Sequence, residues 1–429
     1  MWNSSLRRNE TTAEPFGGEA EALIEKLRAG GEGLAMIRGR SVYVPLTAPG
    51  DRVRIAYGGA HGRVLERLSD GPDRVAPPCP HFGPCGGCAL QHIEAEAYRG
   101  FKEDLLRDAL AREGFDGPPL ASLTSIPAHT RRRATFAFRR EGDGVALGFY
   151  GAHTRKLLDL AECRLLSPRM EAALPALRGW LAALPAGAEG RLHLTLTETG
   201  LDADLSLGAG LSAVAQAALA GAAAPLDLAR LTLGGALLLQ NRVPLIRFAG
   251  IALTPPPGAF LQPSAEGEAQ LLAWVEEGVG KARRIADLFC GLGTFALPLA
   301  RRAAVHAVDS DAALLAAMTA AHRAASGLKP LTAETRDLMR NPLPPAALAK
   351  FDAAVLDPPR AGARAQTLAL AKSGIPRIIA VSCNPASFAR DARVLVDAGY
   401  SLDWVRPLDQ FLWSAHLELV ALLTKPEGR

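Results

Sequence analysis

The sequence predicts an α/β protein. A doubly wound, mostly parallel sheet is expected in the C-terminal part, a small β-barrel near the start, and a mixed α+β segment between them. From residue 259 to the C-terminus, apolar strand patterns alternate with helical ones, as in sheets whose two faces are covered by crossover helices. Over residues 21–75, short β-type runs alternate with glycine turns, which is the spacing of a small barrel. Pro255-Pro256-Pro257-Gly258 interrupts both patterns and marks a boundary. The expected domains are 17–75, 76–258 and 259–429, consistent with what 429 residues can hold.

The first 16 or so residues read as disordered and carry no apolar stretch of the secretory kind. Barrel strands are expected at Gly33-Leu34-Ala35-Met36-Ile37, at 41–46 and at 51–57. An amphipathic helix follows at about 95–113. Farther on, 191–197 and 204–207 flank Gly200 and predict a hairpin. Residues 205–226 lack charge but are mostly alanine, interrupted by glycines and Pro225, too weakly apolar for a membrane span. They predict a strand end and then a buried helix. Buried strands are expected at 284–289, 304–309, 352–357 and 377–382. In such sheets ligands bind beyond the carboxyl ends of the strands, and the candidate functional residues are expected at those ends.

The formal net charge of +4 is weak evidence for an acidic partner, but its clustering says more. Arg131, Arg132, Arg133, Arg139 and Arg140 lie close together with Phe136 and Phe138 among them. Arginine with aromatics suits a phosphate backbone and unstacked bases. A strand with a solvated basic face fits the same pattern equally well. With neither signal peptide nor membrane span, a cytoplasmic location is expected, where thiols stay reduced. The six cysteines then need a role other than disulfides. No coiled-coil or repeat pattern is present, so a monomer without an obligate protein partner is expected.

Asp287-Leu288-Phe289-Cys290-Gly291-Leu292-Gly293-Thr294 follows a strand and opens a helix. Glycines there permit tight turning and close backbone approach. The pattern is not the six-residue dinucleotide fingerprint, which argues against NAD or FAD. It is similar to the first motif of the class I methyltransferases, a Rossmann-like fold that binds S-adenosylmethionine. That likeness implies cofactor contacts from Phe289, Gly291 and Thr294. Asp309, at the next strand end, is suited to accept both ribose hydroxyls. Asp337 is suited to the adenine edge, and Cys290 reads as a packed turn residue.

Asp357-Pro358-Pro359-Arg360 suggests a planar base held beside the cofactor, and Ser382-Cys383-Asn384-Pro385 places a thiol after a later strand. Uracil carbon 5 is a poor nucleophile. A thiolate adding at carbon 6 activates it, and a base must afterwards remove the carbon 5 proton. Cys383 is the candidate nucleophile. Glu418, in an apolar strand where a carboxylate is costly unless used, is the candidate base. Asp357 would line the space between cofactor and base. Gln262 would contact the target base or the methionine end of the cofactor.

Asp357-Pro-Pro-Arg-Ala-Gly, Ser-Cys383-Asn-Pro-Ala and His416-Leu-Glu418, in this order, closely resemble the signatures of the RNA uracil-5-methyltransferases over nearly the whole chain. The resemblance implies the same roles for Cys383 and Glu418, with Gln262, Phe289, Asp309 and Asp357 around cofactor and uracil. Ser264, Thr294 and Asp337 depart from asparagines common in the family. RNA cytosine-5 enzymes carry a second cysteine near the Asp-Pro, and none stands there in this chain.

Cys79, Cys85 and Cys88 lie within ten residues, and Cys163 is distant. Four thiols suit an iron–sulfur cluster or structural zinc, and the 3+1 spacing leans toward the cluster. His81 and His92 are expected behind the cysteines or at the surface. The segment resembles the 4Fe–4S segment of the rRNA-directed members, and residues 17–75 resemble a TRAM domain, an OB-like RNA-binding module. Together they imply methylation of a 23S rRNA uridine. Alternatives are a tRNA uridine or an amino group, the latter usually served by Asp-Pro-Pro-aromatic where this chain has Arg360. An iron–sulfur RNA-binding protein with a degenerate methyltransferase fold is the non-catalytic alternative.

Overall fold

The computed structural model describes residues 16–152 and 154–426. The stretch expected to be disordered lies almost wholly outside them. The chain forms two compact units, the first made from the stretch up to Leu105 with Phe149–Leu158 and Phe411–Ala415, the second from the remainder.

The first unit holds a closed barrel. Its strands are Gly18–Leu27, Gly33–Ile37, Arg40–Val44, Arg52–Gly58 and His61–Ser69, with the last two exchanged in spatial order. Alternate residues point inward, and Ile24, Ala35, Val42, Val44, Val53 and Ile55 fill the interior. Buried Asp51 accepts from the N–H groups of Ala48 (2.7 Å) and Gly71 (2.9 Å) and from Arg74 Nε (3.0 Å), closing the barrel's loops. The cysteine segment follows. Just after it, the N–H groups of Ala89 and Leu90 both donate to the Trp413 carbonyl, at 2.8 and 3.1 Å.

The second unit holds an eight-stranded sheet and most of a seven-stranded one. The seven-stranded sheet has the order Ala236–Gln240, Leu228–Leu233, Gly200–Leu207, Glu189–Thr197, Arg133–Glu141, Gly144–Tyr150, Leu157–Asp159. Its central pair is the expected hairpin, antiparallel from Gly190↔Leu207 to Thr197↔Gly200. The eight-stranded sheet has the order Leu331–Thr335, Ala304–Asp309, Arg284–Leu288, Ala353–Leu356, Arg377–Ser382, Glu418–Thr424, Ser401–Asp409, Thr124–Ser125. The first five strands are parallel, and Glu418–Thr424 is antiparallel to both its neighbours. This is the Rossmann-like arrangement expected from the alternating pattern.

Three features differ from expectation. Thr124–Ser125, far upstream of residue 259, pairs with Leu408 and Asp409 and extends the eight-stranded sheet. Two residues are too short for a periodic signal. Ile246, Phe248, Ile251 and Leu253, upstream of the proline run, share a core with Leu261, Val275 and Ile285. The prolines end a strand without ending the packing. The helix Ala213–Gly221 is not buried: Leu219 alone is inside and Val214 is 81% exposed. Alanines bury too little area to draw the helix inward.

Candidate active site

The parallel strands end at one edge of the sheet. Ser382 closes its strand opposite Leu419, so Cys383, one residue on, lies beside Glu418. Glu418 opens a strand, yet that strand runs antiparallel, so its beginning meets the other strands' carboxyl ends. Asn384 caps the following helix, Pro385–Asp397, by accepting from Ala386 N–H at 3.1 Å, with Pro385 in the first turn. The Arg360 carbonyl accepts from Asn384 Nδ2 (3.0 Å) and Ser387 Oγ (3.1 Å), fixing the Asp357–Arg360 turn against the thiol loop.

Electrostatics here oppose ionisation. Glu418 is 4% exposed. Burial, then repulsion from Asp357, pushes its carboxyl up to about 8, with a Gln410 hydrogen bond acting the other way. Burial and the negative charge of Asp309 raise Asp357 to about 7. Burial, Glu418 and Asp357 push the Cys383 thiol up to about 12, against the Arg360 guanidinium. In the resting site Cys383 is a thiol.

Gln262 lies in a loop and not at a strand end, which corrects the expectation for that residue. Arg132 holds the loop: its Nε donates to the Gln262 carbonyl (3.2 Å), its N–H to the Pro263 carbonyl (2.8 Å), and its guanidinium pairs with buried Glu268 at 2.6 Å. The side chain of Gln262 meets buried Gln410, whose Nε2 donates to Gln262 Oε1 at 2.8 Å and to Glu418 Oε2 at 3.1 Å. Gln410 was not legible in the sequence. Its only signal is an amide just past an apolar strand.

The cofactor turn follows Arg284–Leu288. Phe289 adopts φ +63°, a left-handed conformation costly for a bulky residue, and swings the chain out of the strand. The helix it leads into is only four residues long, Ala296–Leu299. Asp309 ends the neighbouring strand, and its carboxylate accepts from Gly291 N–H and Asp311 N–H, both at 2.9 Å. A Cβ on Gly291 would meet nothing within 4 Å, so the turn faces open space. Thr294 sits half-buried in the same turn. Asp337 follows Leu331–Thr335, accepts from Met339 N–H at 3.0 Å and pairs with Arg340 at 3.6 Å. Cys290 is buried and its thiol is driven far above the usual range, as a packed residue should be. Asp287 carried no role in the sequence. It is fully buried, and burial followed by Asp357 raises it to about 8, with the Ala296 backbone N–H acting weakly the other way.

Of the two readings open for the basic stretch, the structure shows the strand. Phe136 and Phe138 are 0% and 1% exposed and are core residues, not platforms for bases. Arg132 is committed to Glu268, and Arg133 lies over the Phe260 ring at 4.4 Å. Strand alternation turned the aromatics inward.

In the cysteine segment, Cys79 N–H donates to Gln91 Oε1 (3.1 Å) and Gly87 N–H to Cys85 Sγ (3.4 Å). Cys163 N–H donates to Glu171 Oε1 at 2.8 Å. None of the six cysteines is in a disulfide. Among the described residues, no three metal-ligating side chains are assembled around a common point. His92 is fully buried, not at the surface, and stacks near Phe82 at 5.3 Å. Among the described residues, no helix is long and apolar enough to cross a membrane.

Residues 251–426 match the family model described as tRNA (Uracil-5-)-methyltransferase. The chain is 45% identical to an uncharacterized RNA methyltransferase of Brucella suis, over 94% of this chain and 97% of that one. It is 46% identical to an uncharacterized RNA methyltransferase of Caulobacter vibrioides, over 94% and 99%. It is 33% identical to a 23S rRNA (uracil(1939)-C(5))-methyltransferase of Chromohalobacter salexigens, over 99% and 93%. Among solved structures, the fold is shared with the Pyrococcus abyssi tRNA (uracil-54, C5)-methyltransferase bound to S-adenosyl-L-homocysteine. That match has a TM-score of 0.75 and 22% identity and covers 94% of this chain and 100% of that one. Strand-end thiol, strand-end acids and glycine turn thus occur in a chain that belongs to the RNA uracil-5-methyltransferase family, as an S-adenosylmethionine-dependent enzyme.

Proposed function

We propose that Cys383 and Glu418 carry the methylation of uridine carbon 5, and that their adjacency across two antiparallel strands is the observation supporting it most directly. Cys383 gives up its thiol proton to solvent, and the thiolate Sγ adds to carbon 6, directing the ring's electron pair to carbon 5. S-adenosylmethionine, when bound, supplies an electrophilic methyl group and a positive sulfonium. Glu418 then takes the carbon 5 proton, and Cys383 Sγ leaves as the ring double bond re-forms. Two features favour the thiolate when needed: Arg360, and the N-terminus of the Pro385–Asp397 helix. Asp357 and Glu418 would lie where their ionised forms are favoured by a bound cofactor's positive charge. Asp309, Gly291, Phe289 and Thr294 would hold the cofactor on one side. Asp357 and Gln262 would face both cofactor and base, and Asp337 would lie toward the adenine.

The target is a uridine in RNA. The printed names divide on which RNA. The family description and the Pyrococcus abyssi protein name tRNA, and the Chromohalobacter salexigens relative names 23S rRNA. The comparisons favour tRNA more than the sequence did. The expectation of 23S rRNA rests on the barrel and the cysteine segment. For that segment we keep the proposal of a 4Fe–4S cluster on Cys79, Cys85 and Cys88, with Cys163 as fourth thiol. The donor type fits, and Gly87 N–H on Cys85 Sγ is the kind of hydrogen bond that tunes cluster sulfur. Methyl transfer itself needs no electron, so the cluster would be structural.

The test is anaerobic incubation with S-adenosylmethionine and 5-fluorouridine transcripts of tRNA and 23S rRNA. Fluorine cannot leave as a cation, so elimination stalls. A denaturation-resistant adduct with one transcript, absent in Cys383→Ala, is expected and identifies the RNA. Methylation of ordinary transcripts by Cys383→Ala at the wild-type rate would overturn the assignment.

A further inference from the structure

We propose that Gln410 is a positioning residue for this reaction, a buried amide that holds Glu418 as an acceptor and turns Gln262 to offer its NH2 group to the bound ligand. The inference rests on the role proposed above for Glu418.

Gln410 follows the strand Ser401–Asp409 and is 6% exposed. Its Nε2 carries two hydrogens and faces two acceptors, Gln262 Oε1 and Glu418 Oε2. That nitrogen's capacity is fully used. An ionised carboxylate can only accept, so Gln410 must present nitrogen to it, and Gln262 must answer with its oxygen. Gln262 is then left with its NH2 group as the part free to meet a ligand. A donor is what a uracil carbonyl oxygen, gaining charge during attack at carbon 6, requires.

The helix Ala265–Val279 is shaped around this amide. Gly267 N–H is taken by Ser264 Oγ at 3.0 Å, and a Cβ built on Gly267 would stand 2.5 Å from Gln410 Oε1. A methyl group there would push the Gln410 amide from this position. Gln410 Oε1 itself has no partner, an uncommon cost for a buried polar atom. The amide is oriented by its nitrogen.

Charged and titratable groups around Glu418 come from three directions. Asp357 follows the Ala353–Leu356 strand and Cys383 follows Arg377–Ser382. Glu268, on the helix, is neutralised by Arg132. None of them donates a hydrogen bond to Glu418, whereas Gln410 does, and its effect is to favour the carboxylate. Without it, Glu418 ionises at higher pH and Gln262 is free to turn its oxygen toward the ligand.

The experiment uses the full chain and the transcript that accepts methyl groups, carrying [5-3H]uridine. Methyl transfer to the adduct and tritium release from carbon 5 are followed separately. In Gln410→Met, single-turnover methyl transfer is expected to slow, because Gln262 loses its orientation, and tritium release is expected to slow further, at least about tenfold relative to methyl transfer, so that the methylated adduct accumulates. The pH at which release reaches half its maximum should move upward, and a merely structural defect would not move it. Gly267→Ala should reproduce this by displacing the amide, and it serves as the reporter if Gln410→Met does not fold. Gln410→Met or Gly267→Ala with a wild-type release profile would overturn the inference. Glu418→Gln is the control. If it too releases tritium normally, the role of Glu418 fails, and the inference fails with it for that separate reason.

Discussion

The reacting thiol and its neighbours are held in protonated forms by burial, and this sets the pH response. Glu418 must be ionised to take a proton. Its carboxyl is pushed up to about 8, so the release step should quicken as pH rises from 6 and level off above about 8. A pH–rate profile of tritium release checks this, and a profile flat across that range would refute it. Asp287 has a different consequence. It ionises near 3.8 when unexceptional and near 8 when buried here. Between those values the folded chain keeps a proton that the unfolded chain has lost, so this group's contribution is full below about 3.8 and lost by about 8. Asp287→Asn should therefore raise the melting temperature at pH 8 and change it little at pH 4. An equal effect at both pH values would show that charge burial is not the cause. The sequence displayed Cys383 and Asp357 openly, since each stands in a short polar peptide after an apolar run. Gln410 stayed hidden because its meaning lies in partners 148 and 8 residues away.

Among the elements, the joint between the seven-stranded sheet and the Gln262 loop centres on Arg132, which pairs with Glu268 and donates to the Gln262 and Pro263 carbonyls. Arg132 is held by Glu268, whose carboxyl burial tends to neutralise. Removing one partner of such a pair typically costs about 3–5 kcal/mol. Arg132→Ala should lower stability by that order in urea denaturation. It should also weaken binding of S-adenosylmethionine or RNA, since the Gln262 carbonyl loses its anchor. Unchanged binding with lowered stability would confine Arg132 to the fold. Strand periodicity located four of the five parallel strands within a residue or two, because strands buried on both faces are continuous apolar runs, and missed Leu331–Thr335, an edge strand with no fully buried residue. At 131–140 the sequence left two readings open, and the strand one describes the aromatics: alternation turns Phe136 and Phe138 into the core. Thr124–Ser125 could not be foreseen, since its pairing is made with residues nearly three hundred positions away.

Over the whole molecule, the chain divides into a unit built on the barrel and a unit that holds the candidate active site, each with its own core. The cysteine segment belongs to the first and offers a test that needs no substrate. Protein purified without oxygen should carry iron and a broad visible absorption, both lost in Cys85→Ala. Iron content unchanged in that variant would remove Cys85 from the ligand set, and zinc in place of iron would replace the cluster by a structural metal. The first unit is also discontinuous in the chain. Ala89 and Leu90 find their backbone acceptor on Trp413, and Trp413 N–H donates to the Tyr98 hydroxyl 315 residues earlier at 2.8 Å. During synthesis, at about 5–20 residues per second, the segment after the cysteines waits on the order of 15 to 60 seconds for those partners. The barrel strands can close early, but the cysteine segment reaches its final support only once Trp413 has been made. A cluster inserted before then would enter a loop still lacking its clasp, and the order of synthesis would then bear on how that segment matures.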